Sequence, residues 1–102
     1  MQAVKVLLSG YQIMRECRYY RIKGRVQGVF FRASTREQAL ARNLTGWVRN
    51  LPDGDVETMV CGQPADLQAF EAWLWKGPEL ARVDSVQAEK TEYEDFPGFT
   101  VR

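Results

Sequence analysis

The feature that most narrows the folds open to this chain is the order in which its short periodic segments follow one another. Residues Cys17 to Lys23 carry Tyr19, Tyr20 and Ile22, which predicts a strand with Tyr20 and Ile22 on one face and Cys17, Tyr19 and Arg21 on the other. From Phe31 to Asn43 there is no Gly or Pro, and Phe31, Thr35 and Ala39 recur every fourth residue, as in a helix. Gly46 to Asn50 reads as a short strand, Pro52-Asp53-Gly54 as a turn, and Asp55 to Cys61 as a returning strand with Val56, Thr58 and Val60 on one face. Pro64 opens a second helix, in which Leu67, Phe70 and Leu74 form a core stripe with Trp73, and Gly77-Pro78 ends it. Val83 to Lys90 alternates Val83, Ser85 and Gln87 against Asp84, Val86 and Ala88, which predicts a strand, and Phe99 to Arg102 supplies a short last one.

The order is β-α-β-β-α-β with a short terminal strand. Two right-handed βαβ crossovers interleaved this way predict an α+β fold, the ferredoxin-like split βαβ sandwich: an antiparallel sheet with two helices on one face. A chain of 102 residues, 45% hydrophobic and 26% charged, suits one core of this kind. The domain is expected over 16–102, after an N-terminal extension at 1–15. Met14 is a natural start for such a domain; Val4, Val6 and Leu8 alternate and could add an edge strand, but residues 1–13 are expected to be dispensable. The apolar runs are too short to span a bilayer and the N-terminus lacks a secretory h-region, so a cytoplasmic location is expected.

The net charge of +1 conceals an uneven distribution. Residues 1–50 hold 10 Lys/Arg against 2 Asp/Glu (+8), and residues 51–102 hold 4 against 11 (−7). Either the fold keeps a positive face that steers small anions, or the halves interleave and cancel. Histidine is absent, which excludes His-based catalysis and imidazole metal sites. Two cysteines, Cys17 and Cys61, form neither a zinc cluster nor a CxxC pair, and neither has the Arg six positions on that a cysteine phosphatase needs: Lys23 and Leu67 stand there. The stretch Asp53-Gly54-Asp55-Val56-Glu57 half-matches an aspartate phosphotransfer motif, but Glu57 is out of place in one, and a turn is the better reading.

Residues 24–32 read GRVQGVFFR. Gly24 and Gly28 allow torsions that curl the backbone with its amides inward, and Arg32 falls in the first turn of the following helix, where free N–H groups favour an anion. This predicts a phosphate seat; a plain strand, turn and helix with Arg32 in solvent fits the same nine residues. Val26, Val29, Phe30 and Phe31 are expected to anchor the loop to the core.

GRVQGVFFR, then TGWVRN, then PDGDVE, with the helices and a terminal Phe-x-Val-Arg in place, resembles the acylphosphatase family from about Tyr20 to Arg102. The resemblance implies a stand-alone, cofactor-free hydrolase that splits carboxylic-phosphoric mixed anhydrides into carboxylate and inorganic phosphate. It puts the phosphate-binding arginine at Arg32 and the water-orienting asparagine at Asn50, with the backbone amides of Arg25, Val26, Gln27, Gly28, Val29, Phe30 and Phe31 as the phosphate-binding loop and no metal. An acyl phosphate has a good leaving group, so positioning and charge stabilisation suffice and no histidine is needed. The partners so implied are the acyl phosphate and phosphate, without nucleic acid or membrane, for a monomeric chain. By composition alone Asn50 also fits a turn cap ahead of Pro52.

Other readings are a non-enzymatic ferredoxin-like module, such as an RNA-binding domain, and a carbamoyl-phosphate-handling relative. Asp55 to Gly62 lacks the aromatics an RNA-binding sheet presents, and no zinc cysteines follow as in larger maturation enzymes. In the predicted topology Cys17 and Cys61 are cross-strand neighbours on the open side of the sheet, at the edge away from Arg32. A disulfide is geometrically feasible there, although a cytoplasmic setting favours free thiols.

Overall fold

The computed structural model describes residues 15–102, so the candidate edge strand at Val4, Val6 and Leu8 and the candidate start at Met14 lie outside the described residues. The described elements are β1 (Glu16–Arg25), α1 (Phe31–Ala41), β2 (Thr45–Asn50), β3 (Val56–Gly62), α2 (Pro64–Lys76), β4 (Arg82–Thr91) and β5 (Phe99–Val101). They build one sheet of order β4-β1-β3-β2-β5. β1 pairs antiparallel with both β3 and β4, and β3 antiparallel with β2, so β1 and β2 run in the same direction as the split βαβ order requires.

The sheet is mixed rather than wholly antiparallel, because β5 lies parallel to β2, with Phe99 opposite Gly46 and Val101 opposite Val48. The chain leaves β4 at Thr91, beside Cys17, at the edge where β1 and β2 begin. It follows that edge to Gly98, whose carbonyl accepts from the Gly46 amide at 2.9 Å, and must then enter β5 in the direction of β2.

Both predicted helix stripes face the sheet: Phe31, Thr35 and Ala39 on α1 and Leu67, Phe70 and Leu74 on α2 are buried against Tyr20, Ile22, Val48, Val56 and Val60. Trp73 is only partly buried and packs its ring 5.6 Å from that of Phe31. Helix α1 ends at Ala41, short of Asn43, because Asn43 turns left-handed (φ 55°) and the Leu44 amide folds back onto the Ala39 carbonyl at 2.9 Å. Gly77 stops α2 as expected, at φ 68°.

Strand β4 departs from simple alternation. Lys23 pairs with Ser85 but Gly24 pairs with Val83, so Asp84 is an extra residue in a bulge. The bulge reverses the facing of the residues before it, so Val83 and Val86, expected on opposite faces, both pack on the core. Gly24 makes this possible: at φ 137°, any β-carbon there would meet the Arg82 carbonyl oxygen.

The opposite charges of the two halves interleave on the helix-free face. Arg21 pairs with Asp53 and, at 2.8 Å, with Asp55; Lys23 reaches Asp55 at 2.9 Å; Arg49 pairs with Glu57. Lys23 first and Arg21 second hold the Asp55 carboxyl below its ordinary range by hydrogen bonding. Tyr19, which donates to Glu57, is pushed up to about 12 by burial first and by Glu57 second. On the same face Cys17 and Cys61 are register partners with α-carbons 4.0 Å apart, and they are bridged. The expected facing and feasibility of the bridge are both seen. The Glu94 amide covers it, donating to Cys17 Sγ at 3.3 Å.

Candidate active site

The far edge of the sheet, where β1 and β2 end, is built differently. Between β1 and α1 the backbone alternates in hand: Gly28 (φ 74°) and Phe30 (φ 65°) are left-handed while the intervening Val29 is not. Such alternation turns successive amides toward one concave side. The concavity adjoins the start of α1, whose first-turn N–H groups have no helical acceptor, since the Ser34 amide is the first to bond back, to the Phe30 carbonyl at 3.0 Å. Inward amides and a helix N-terminus are the features that suit an anion.

A pocket of about 370 Å³ opens on this concavity. Of the predicted loop residues, Val26, Gly28, Phe30 and Phe31 line it, as do Arg32 on α1 and Asn50 at the end of β2, so the structure brings Arg32 and Asn50 to one cavity. The two remaining lining residues, Ala33 and Val101, come from α1 and β5. Three predicted loop residues do not line it. Arg25 is exposed and pairs in the ladder with Arg82, Val29 turns into the core, and Gln27 points across to the β2–β3 turn. Phe30 corrects a further expectation. Val26, Val29 and Phe31 are at most 2% exposed and anchor the loop, whereas Phe30 is 75% exposed, because its left-handed backbone directs the side chain away from the core.

Two side chains in the site stand out by their hydrogen bonding. Asn50 Oδ1 is buried and has no hydrogen-bond partner among the described residues, an arrangement that costs free energy. Arg32 Nη1 donates to the Arg102 carbonyl at 3.0 Å, which fixes one side of the guanidinium and leaves its other donors open. Neither Arg25 nor Arg32 forms an ion pair among the described residues, whereas Arg82 beside Arg25 pairs with Asp84 at 3.0 Å and Arg21, Lys23 and Arg49 on the open face are paired.

Sequence reasoning overlooked two supports. The Gln27 side-chain amide donates to the carbonyls of Leu51 at 2.8 Å and Asp55 at 2.9 Å, tying the loop to the turn that follows Asn50. Strand β5 delivers Val101 to the pocket and Arg102 to Arg32; the Phe-x-Val-Arg stretch was the available signal. Among the described residues no group of three or more His, Cys, Asp or Glu is placed to hold a metal, and no helix is long and apolar enough to cross a membrane.

Comparison with known proteins agrees with this architecture. The family model described as Acylphosphatase matches residues 18–101. A curated acylphosphatase from Nitrosococcus oceani is 52% identical over 81 residues, covering 79% of this chain and 91% of that protein. The solved structure of an acylphosphatase from Coxiella burnetii superposes with a TM-score of 0.87 at 42% identity, covering 90% of this chain and 97% of that one. A full-length HypF, solved in a phosphate- and nucleotide-bound form, aligns at 27% identity and a TM-score of 0.78, but this chain covers only 12% of it. By sequence and by fold the chain belongs to the acylphosphatase family, a family of hydrolases.

Proposed function

We propose that this protein hydrolyses acyl phosphates by direct attack of water, with Arg32 and Asn50 as its catalytic residues. Arg32 and the inward amides of the 25–31 loop bind the phosphoryl oxygens and stabilise the charge that spreads over them in a loose transition state. Asn50 holds the attacking water in line with the leaving group. The water oxygen bonds to phosphorus, the phosphorus–acyl oxygen bond breaks, the carboxylate leaves with the electron pair, and the water's proton passes to phosphate or solvent. A carboxylate leaves readily, so neither a metal nor a covalent intermediate is required.

The observation that carries this reading is that Asn50 lines the same pocket as Arg32 and the amide seat. A side-chain amide, which can donate and accept without taking a proton, suits a neutral water beside an anion. The reading involves no nucleic-acid or membrane partner, and in the cytoplasm, which we propose as its location, cellular reductants would hold the Cys17–Cys61 pair open. The test is release of inorganic phosphate from acetyl phosphate and benzoyl phosphate, with p-nitrophenyl phosphate as the monoester control. Rapid release from the first two, unaltered by EDTA and absent from the third, is expected; release from the monoester alone would overturn the assignment.

A further inference from the structure

Among the described residues the Arg32 guanidinium has one hydrogen-bond partner, the main-chain oxygen of Arg102 at 3.0 Å. How firmly Arg32 is aimed at the pocket therefore depends on how firmly Arg102 is held. Arg102 follows β5, a strand of three residues, and so short an element frays readily at its end. Two contacts oppose this. The Arg102 amide donates to the Val48 carbonyl at 2.8 Å, and the Arg102 guanidinium lies 4.6 Å from the centroid of the Trp47 ring, within cation–π range. Neither an ion pair nor a side-chain hydrogen bond holds that guanidinium among the described residues, so the ring is its anchor.

Trp47 itself belongs neither to the hydrophobic core nor to the lining of the pocket. It stands opposite Met59 and two residues before Arg49, on the sheet face away from the helices. Arg49 leans over the same ring at 5.3 Å and is neutralised by Glu57. Because Val48 pairs with Val101, Arg49 falls beside Arg102, and the ring together with the Glu57 carboxylate offsets the repulsion between the two cations. We propose that Trp47 is a positioning residue: by stacking on Arg102 it fixes the main-chain oxygen that orients Arg32 toward the phosphoryl group. This rests on the acyl phosphate reading above.

The test follows the inhibition constant for inorganic phosphate and kcat/KM for acetyl phosphate, both measured well below each variant's urea transition. Trp47→Leu should weaken phosphate inhibition about fourfold and lower kcat/KM by a similar factor, whereas Trp47→Phe, which keeps an aromatic face, should stay within about twofold of wild type. Arg102→Leu, which keeps the main-chain oxygen and removes the stack, should reproduce the Trp47→Leu loss, and the double variant should lose no more than either single one. A purely structural Trp47 would leave phosphate inhibition unmoved. That result, additive losses in the double variant, or a Phe variant as impaired as the Leu variant overturns the proposal while the acyl phosphate reading stands. Should Trp47→Leu not fold, unchanged phosphate inhibition in Arg102→Leu overturns it equally. If the wild-type protein neither hydrolyses acetyl phosphate nor binds phosphate, both readings fall together.

Discussion

The two edges of this sheet solve opposite problems. At the edge where β1 and β2 begin, the chain is closed covalently: Cys17 and Cys61 are bridged, the Glu94 amide caps the bridge, and Gly98 closes onto Gly46, although Thr45 Oγ1 is buried there without a partner among the described residues. At the edge where they end, capacity is left open: Asn50 Oδ1 lacks a partner, Phe30 is left-handed and exposed, and Arg32 and Arg25 carry no ion pair among the described residues. One edge is tied by a covalent bridge and the other carries the pocket lined by Arg32 and Asn50. Mutations should separate accordingly, with stability failing at one edge and turnover at the other.

The largest separation is expected from Arg32→Ala. Removing the charged fork from the anion seat should lower kcat/KM by roughly 10³ or more and abolish competitive inhibition by phosphate. The urea midpoint should move little, since the side chain makes one bond to a carbonyl. Asn50→Ala should lose about 10² in kcat and still be inhibited by phosphate. Wild-type-like turnover in either variant would remove that residue from the mechanism.

The converse experiment is Cys17→Ser with Cys61→Ser. The bridge closes a loop with a sequence separation of 44. Opening it should cost about 4 kcal/mol on the chain-entropy account, read as a lower urea midpoint with a larger m-value because the unbridged denatured chain is less compact. Turnover below the new transition should be preserved; a parallel loss of kcat would show that the edges are coupled.

Gln27 sharpens the comparison from within the site. Gln27→Ala cuts both hydrogen bonds that hold the loop to the turn after Asn50. A water displaced by a fraction of an ångström should cost about tenfold in kcat, while phosphate inhibition stays within about twofold. Equal damage to kcat and phosphate inhibition would mean that Gln27 shapes the anion seat instead.

The smallest effect concerns acid. The folded pKa of Asp55 lies below its unfolded value, so its contribution is present above the ordinary carboxylate range, near pH 4, and is lost as pH falls through the lower folded value. In Asp55→Asn the acid limb of the stability profile should be flatter, while the profile of kcat keeps its shape.

Element order was legible because helix stripes such as Phe31, Thr35 and Ala39 and breakers such as Gly77 act within a few residues of themselves. The bulge at Asp84 was not, because it follows from the pairing of Gly24 with Val83 across two strands remote in sequence. The positions that meet in the pocket, Arg32 and Asn50, were legible from the motif and the parallel run of β1 and β2. The direction of Phe30 was not: in the run Val29-Phe30-Phe31 it has the composition of a core residue, and only the hand of its backbone turns it outward. Gln27 was read for its amide alone, since its side-chain partners lie on a distant hairpin.

The strand order has a kinetic consequence. In β4-β1-β3-β2-β5 the β2–β3 pair alone joins strands consecutive in the chain; the Cys17–Cys61 bridge already closes β1 onto β3, and the β1–β4 and β2–β5 pairings each close a long loop. The half of the site bearing Asn50 belongs to that local hairpin, whereas Arg32 arrives with a loop that must dock from elsewhere. High contact order predicts folding in milliseconds to seconds rather than microseconds. Substitutions in the Leu51–Asp55 turn should chiefly slow folding, and Gln27→Ala should chiefly speed unfolding. Stopped-flow chevrons of the two variants would read this directly: the hairpin waits, and the anion-binding half of the site is completed when the loop closes on it.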